Sequence, residues 1–349
     1  MMNEHELYMQ RCFQLAALSP KHTKSNPMVG AVLVYNNTII GEGYHQIFGQ
    51  NHAEINAIKS VKKEDVHLIQ NSNLYVSLEP CCHTGKTPPC CQKIIELGIK
   101  KVIVSILDPN PLVSGKGVAY LRENGCEVIV GVSEKPGHML LRKYFANLEN
   151  RPYTVLKWAQ SINGIVGHTQ KRLLISNRMT QVLTHKWRSE FDGIMVGKTT
   201  IRIDQPNLTN RLYEGEDPVR ISYCDTEDDV SNLSLIWKDK KVLFITESML
   251  EHFENLQPIK LNDKYDLNEA KQELFDQGIF GLLVEGGAVL LNSFLEQNEW
   301  DEARIIVNQN MLHLGKDERI MSPLLKGKYF SKRIIGDDII YYVLNPSKM

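Results

Sequence analysis

The sequence predicts an α/β protein built as two units in series. Three observations carry this expectation. At 349 residues the chain is long enough for two domains of ordinary size, each with its own core. Short apolar runs of strand type alternate along it with longer stretches of helical spacing. Arg151-Pro152 punctuates that alternation near the middle, so the expected domains are residues 1–146 and 147–349.

In the first unit, apolar residues at helical spacing predict a helix over 6–17. The continuous apolar run 28–35 reads as a buried strand, with 38–44 as its hairpin partner. A helix over 53–61 opens directly after His52. Strand 74–78 is followed by a helix over 89–97 that Gly98 ends. Strand 101–105, helix 117–124 and strand 127–130 complete an α/β sandwich, and 140–150 reads as a helical connector. In the second unit, strand 153–159 leads to a helix over 177–190, capped by Ser176 or Asn177. Strands are expected over 193–197, 218–224 and 241–246, then a helix over 268–277. The buried strand 281–284 runs through Glu285-Gly286-Gly287 into a helix over 289–296. Strand 303–308 and a hairpin over 333–344, turning at Gly336-Asp337-Asp338, close the unit.

Composition narrows the function classes. A net charge of −1 and the lack of any Lys/Arg-rich run argue against a nucleic-acid partner. No stretch of about 18 apolar residues predicts a membrane span. The polar N-terminal residues lack the apolar core of a signal peptide, so the expected location is cytoplasmic, with the seven cysteines reduced. Four of the seven (Cys81, Cys82, Cys90 and Cys91) crowd one short segment, which favours metal over disulfide. Cys82 and Cys91 read as small packing residues beside two ligands. The composition is compatible with a homo-oligomer.

The chemistry concentrates in His52-Ala53-Glu54, Pro80-Cys81 and Cys90. One imidazole and two thiolates make a ligand set for a single Zn2+. Three protein ligands keep a fourth position for water and lower its pKa from about 15.7 to about 7. Glu54, two residues past His52, is then free to carry a proton from water to a departing amine, the parts list of a hydrolytic deaminase. His-x-Glu by itself is common at helix starts; the Pro-Cys and the second cysteine change the odds. The gap from Cys81 to Cys90 is longer than the two-residue gap usual in zinc deaminases.

That gap reads Cys81-Cys82-His83-Thr84-Gly85-Lys86-Thr87-Pro88-Pro89-Cys90, led in by Tyr75-Val76-Ser77-Leu78-Glu79-Pro80. With Asn26-Pro27-Met28-Val29-Gly30 and Gly43-Tyr44-His45, it closely resembles the deaminase half of the bifunctional riboflavin-biosynthesis deaminase–reductases. The resemblance implies a cytidine-deaminase-like three-layer α/β/α domain. It implies as substrate 2,5-diamino-6-(5-phosphoribosylamino)pyrimidin-4(3H)-one, contacted by Asn26, His45, His83 and Lys86. A flexible ammonium at Lys86 suits a phosphate. Read alone, Asn26 is a turn residue before Pro27 and His45 a surface-loop histidine.

The second half has no Gly-x-Gly-x-x-Gly after its first strand. Val284-Glu285-Gly286-Gly287-Ala288 could let backbone N–H groups approach a phosphate, or be an ordinary strand-to-helix turn. This half is similar to the family's dihydrofolate-reductase-like α/β domain. The similarity rests on Arg151-Pro152-Tyr153, Leu156-Lys157, Ser161-Ile162-Asn163-Gly164, Val196-Gly197, Thr200, Asp204-Gln205-Pro206-Asn207-Leu208-Thr209, Arg211 and the glycine turn. It implies NADPH near Ala159, Leu174, Thr200, Asp204 and Gly287. It implies a substrate, 5-amino-6-(5-phosphoribosylamino)uracil, near Arg188, Leu208, Arg211 and Glu285, whose ribosyl chain is reduced to ribityl. Arg188 and Arg211 could fork onto a phosphate; arginines are more often solvated surface charge. The half departs from the family pattern at Asn163 and Gln205, where aspartates are usual, at Leu174, where tryptophan is common, and at Asn308-Gln309-Asn310, which lacks the usual Ala-Pro.

Consecutive deamination and reduction in riboflavin synthesis is therefore the expected function. The alternative is a deaminase whose second half only binds or scaffolds. A nucleic-acid editing protein is disfavoured by the charge balance, and a purely structural zinc module by three ligands with a carboxylate alongside.

Overall fold

Helix α1 (Glu4–Ala16) starts where Asn3 and Glu6 satisfy each other's backbone N–H groups, a capping box. The computed structural model describes residues 3–18, 21, 23–82, 88–111, 113–238, 240–248, 250, 255–325 and 329–348. They fall into two compact units, Met1–Glu149 and Asn150–Met349.

In the first unit α1 is followed by the hairpin β1 (Gly30–Tyr35) and β2 (Thr38–Tyr44). Asn36 and Asn37 both take positive φ at its tip, the turn that matches right-handed strand twist. Then come α2 (Ala53–Lys59), a 3₁₀ segment Lys63–Asn71, β3 (Asn73–Leu78), α3 (Cys90–Glu96), β4 (Lys101–Ile106), α4 (Lys116–Glu123), β5 (Glu127–Val130), α5 (Glu134–Leu140) and α6 (Arg142–Leu148). The sheet order is β2-β1-β3-β4-β5, with β1 antiparallel to both neighbours and β3, β4 and β5 parallel. Ala57 of α2, Ile94 of α3 and Leu121 of α4 pack on Leu33, Val76 and Val104 of one sheet face. Met9 and Phe13 of α1 pack on Val32, Tyr75 and Ile103 of the other. This is the three-layer α/β/α arrangement. β3 ends on the side where α2 and α3 begin, which gathers both helix N-termini at the carboxyl end of the sheet's middle strand.

The second unit runs β6 (Tyr153–Ser161), β7 (Ile165–His168), α7 (Arg178–Glu190), β8 (Gly193–Met195), α8 (Lys198–Asp204), β9 (Val219–Tyr223), α9 (Glu227–Ile236), β10 (Val242–Thr246), β11 (Leu256–Lys260), α10 (Leu267–Asp276), β12 (Gly281–Glu285), α11 (Ala288–Glu296), β13 (Glu302–Asn308), β14 (Arg319–Met321), β15 (Tyr329–Ile335) and β16 (Asp338–Leu344). Nine strands form one sheet, β11-β10-β9-β8-β12-β6-β13-β16-β15, parallel from β11 to β13 and antiparallel at β16 and β15. Central β12 is buried at all five residues, as a parallel strand covered on both faces must be. Leu274 of α10 and Leu291 and Phe294 of α11 pack on one side of the sheet, and Trp187 of α7 on Ile306 and Ile340. Arg151 grips both Asp301 oxygens at 2.8 and 2.9 Å, and Asp301 also accepts the Thr154 N–H, so the Arg-Pro punctuation anchors the start of β6.

Several elements differ from expectation. The connector is two helices broken at Leu141. The final hairpin begins at Tyr329, four residues earlier than the apolar pattern suggests. The 3₁₀ segment, α8, α9, β7, β11 and β14 are elements that the sequence reading does not predict. Among the described residues, no helix is long and apolar enough to cross a membrane.

Candidate active sites

His52 is the residue before α2, and its ring is placed by how closely α2 lies on β2. A Cβ on Gly43 would stand 2.2 Å from the Ala57 nitrogen and 2.6 Å from the Ala53 oxygen. Only glycine allows that approach. Cys81 follows β3, and Cys90 opens α3. His52 Nδ1 lies 3.4 Å from each of the Cys81 and Cys90 sulfurs, and the three ligand atoms are all within 4.8 Å of one another. In a tetrahedral site with Zn–S about 2.3 Å and Zn–N about 2.0 Å, nitrogen and sulfur are roughly 3.5 Å apart, so the donor set fits zinc. Cys81 accepts from the Cys90 backbone N–H at 3.4 Å. Its pKa is lowered by hydrogen bonds from the Cys90 thiol and then His52, which keeps it a thiolate.

Glu54 is 3% exposed, and burial first, then the Cys81 charge, pushes its carboxyl up to about 7. A group with that pKa can both take and give a proton near neutrality. His45 is not the surface histidine its loop suggests: it is buried, because β2 delivers it beside the helix start. Its Nδ1 donates to the Asn51 carbonyl at 3.1 Å, which leaves Nε2 as acceptor for the Asn26 amide at 3.2 Å. Its ring packs edge-on against His52, centroids 5.5 Å apart. Burial lowers the His45 pKa, so this ring stays neutral. Asn26, His45, His52, Glu54, Cys81 and Cys90 thus converge; His83 and Lys86 lie outside the described residues. Cys91 is fully buried and donates to the Pro80 carbonyl, a packing role. Glu79, not singled out from sequence, accepts backbone N–H bonds from Asp108, Gly115 and Val118 and so braces the loop beside Cys81.

In the second unit a cleft of about 570 Å³ opens along the carboxyl ends of the parallel strands, where open α/β sheets take ligands. Ala159, Leu174, Thr200, Asp204 and Gly287 all line it, as do Arg188, Leu208, Arg211 and Glu285. Gly286 and Gly287 take φ of +83° and +73°, and α11 begins at Ala288 with no side chain capping it. A Cβ on Gly287 would sit 3.0 Å from Thr200 Oγ1. A bare-backbone turn feeding an uncapped helix start fits the pyrophosphate of a dinucleotide. Leu208 is buried at φ +53°, a strained position for leucine, held between the Trp237 bond to the Pro206 carbonyl and the Arg220 bond to the Asn207 carbonyl.

Arg188 is not free surface charge. Its Nε and Nη2 fork onto Glu285 at 2.8 Å each, and Lys157 Nζ stands 3.5 Å from the same carboxylate. Burial alone would raise the Glu285 pKa, but the Arg188 and Lys157 charges outweigh it and bring it to about 2. Burial also raises the Asp204 pKa. Lys157, His185 and a Lys198–Asp225–Lys264 cluster line the cleft as well, and sequence reasoning missed them. Scattered charges in a strand, a helix start and two loops, and a helix histidine, carry no signal until the fold gathers them.

The departures have local explanations. Asn163 donates to the Leu312 carbonyl at 2.8 Å and accepts the Leu312 N–H at 3.2 Å, a pairing aspartate cannot make. Gln205 ends α8 in the left-handed region. Asn308 and Asn310 bond Asp338 and Asp337, tying β13 to the last hairpin turn. Leu174 is largely exposed within the cleft.

Comparison with known proteins agrees with this geometry. Residues 2–106 match the cytidine and deoxycytidylate deaminase zinc-binding region, and residues 152–325 match the RibD C-terminal domain. The riboflavin biosynthesis protein RibD of Aquifex aeolicus (strain VF5) is 34% identical over 349 residues, covering 96% of this chain and 97% of its own. That of Actinobacillus pleuropneumoniae is 32% identical over 364 residues, covering 97% and 95%. The crystal structure of a diaminohydroxyphosphoribosylaminopyrimidine deaminase/5-amino-6-(5-phosphoribosylamino)uracil reductase from Thermotoga maritima superposes with a TM-score of 0.88 at 30% identity, covering 98% of this chain and 99% of that one. The chain belongs to the RibD family of bifunctional riboflavin-biosynthesis proteins, a zinc-dependent deaminase joined to an NADPH-dependent reductase.

Proposed function

We propose that the two sites act in order on one pyrimidine ribosyl phosphate, with the residues gathered above in defined roles. The first converts 2,5-diamino-6-(5-phosphoribosylamino)pyrimidin-4(3H)-one to 5-amino-6-(5-phosphoribosylamino)uracil, and the second reduces the ribosyl chain of that product to ribityl. The observation that carries the deaminase assignment is the meeting of His52, Cys81 and Cys90 beside the buried Glu54. Zinc held by those three supplies Lewis-acid activation of water. Glu54 takes the proton that water loses and delivers it to the departing amine. Asn26 and His45, locked in one tautomer by the Asn51 carbonyl, orient the pyrimidine. His83 and Lys86 remain assigned to the substrate by family resemblance.

In the second unit NADPH supplies the hydride. The Gly287 turn, Thr200, Ala159, Leu174 and Asp204 position that cofactor. Glu285, Arg188, Leu208 and Arg211 hold the uracil ribosyl phosphate. Asp204 lines the cleft with a pKa raised by burial, which supports its hydrogen-bonding the substrate or cofactor there and serving as proton donor. The domains are assigned as residues 1–146 and 147–349. The partner is a small molecule, with no nucleic acid or membrane, and the location is cytoplasmic; homo-oligomer formation is compatible with this reading.

Asp204→Ala in the full chain should keep ammonia release and lose NADPH-dependent reduction; undiminished reduction would remove Asp204 from the site. His52→Ala and Cys90→Ala should each lose zinc, read by elemental analysis. Full zinc occupancy in either would mean the ligand set is wrong.

A further inference from the structure

The segment after α8 brings Gln205, Pro206, Asn207, Leu208 and Arg211 into the wall of the reductase cleft. It has no regular structure, and among the described residues positions 206–209 make no backbone–backbone hydrogen bond. Two of its residues are also in an unfavourable conformation: Gln205 takes φ +39° and Leu208 φ +53°, the left-handed region that non-glycine residues rarely enter. Such a conformation persists only where the surroundings over-determine it. Here side chains from three other elements do so. Trp237, just past α9, donates its indole N–H to the Pro206 carbonyl at 2.7 Å. Arg220 of β9 donates from Nε to the Asn207 carbonyl at 3.0 Å, and Arg188 of α7 donates from Nη1 to the Thr209 carbonyl at 2.9 Å. Next along the chain, the Asn210 N–H donates to Asp217 at 2.9 Å, and the Arg220 guanidinium lies 3.4 Å from the same carboxylate.

Trp237 and Arg220 are buried, and neither lines the cleft. A buried indole N–H and a buried guanidinium need acceptors, and these two find theirs in the two carbonyls that precede Leu208. We propose that Trp237 and Arg220 are positioning residues for the reduction: they clamp the Pro206 and Asn207 carbonyls so that Leu208 and Arg211 stand in place before the pyrimidine ribosyl phosphate binds. This rests on reading the cleft as the reductase substrate site. Releasing either carbonyl lets Leu208 relax toward the negative φ that leucine prefers, and the turn that presents Leu208 and Arg211 reorients with it. A shift of about 1 Å far from the chemistry can cost on the order of 10²-fold in rate. The Gly286-Gly287 turn between β12 and α11 carries neither tether, so NADPH binding is spared.

The test uses the full chain and follows NADPH oxidation with the deaminated uracil compound as substrate. Trp237→Phe keeps an aromatic ring and removes the indole N–H; Arg220→Lys keeps the charge and removes the Nε donor. Each should lower kcat/KM for the uracil compound by roughly tenfold or more, while KM for NADPH changes less than about twofold and ammonia release at the zinc site is unchanged. A bond that served only the stability of the fold would not separate the two substrates in this way. Undiminished kcat/KM in either variant removes that residue from the role, and in both it overturns the proposal while the substrate-site reading stands. An equal rise in both KM values marks a general loosening and overturns it too. If the unmodified chain does not reduce the uracil compound, the substrate-site reading falls and this proposal with it. Should the variants fail to fold, the unmodified, ligand-free chain decides: the Trp237 indole proton should exchange with solvent at least about a hundredfold more slowly than a free indole, and exchange at the free rate overturns the clamp.

Discussion

Glu54 shows how one residue's chemistry follows from its seat. The same carboxylate on a helix surface would be ionised and idle; excluded from water beside two sulfurs, it has a pKa of about 7. Glu54→Gln should bind zinc normally and lose ammonia release by roughly 10²–10⁴-fold, the usual share of a positioned acid/base. Ammonia release at the unmodified rate would refute the role assigned to it. Asn163 makes a different point. It departs from the family pattern, yet its amide is the one group that can both donate to and accept from Leu312. Asn163→Asp should lower stability by about 1–3 kcal/mol, because the Leu312 carbonyl then faces a like-charged oxygen. Urea unfolding of the two proteins checks this, and equal midpoints would show the pairing to be irrelevant. At this scale the zinc ligands were legible because three metal-binding side chains, one imidazole and two thiols, near a carboxylate are rare together. His185 was not: a histidine in an amphipathic helix looks like any other until the fold brings Arg188 and Glu285 near it.

At the scale of elements, positions depend on close approach. Gly43 allows α2 to lie against β2, and with it the start of the helix where His52 and Glu54 sit. Gly43→Ala should cost about 1–3 kcal/mol by overpacking and also reduce zinc content, since α2 must move. Zinc content equal to that of the unmodified chain would separate the glycine from the site. The pairing of β12 with α7 through Glu285 and Arg188 predicts a pH dependence. The folded pKa of Glu285, about 2, lies below its unfolded value of about 4.3, so its contribution is present above the unfolded value and is lost as pH falls from there toward 2. Glu285→Gln should flatten that part of the stability profile and destabilise the chain at pH 7 by about 3–5 kcal/mol, because two cations lose their buried partner. Denaturation midpoints measured from pH 7 to pH 3 test both statements, and an unchanged acid slope would contradict the linkage. Strands β2, β3 and β10 were readable because continuous or alternating apolar residues have a single solution in a sheet. Helix α9 was not: its Ser, Asn and Asp residues are poor helix formers, and only Val230 and Leu233 bury, behind the Thr226 cap. Edge strand β11 carries Pro258 and alternates weakly, so tertiary pairing with β10 defines it rather than propensity.

For the whole molecule, the central claim is that one chain carries two chemistries in succession. Each unit has its own sheet and core, and the family relationship extends over nearly the whole chain. The two-unit alternation and its Arg-Pro punctuation were visible in the sequence, whereas the nine-strand order of the second sheet was not, since it depends on which strands meet in space. The most direct measurement follows ammonia and NADPH together after zinc-loaded protein is mixed with the diaminopyrimidine ribosyl phosphate. The account predicts one ammonia released and one NADPH consumed per substrate, with NADPH consumption trailing ammonia. Glu54→Gln should block both, and supplying the deaminated uracil compound should restore NADPH consumption alone. NADPH consumption that precedes ammonia release, or a deaminated compound that the chain cannot reduce, would contradict it.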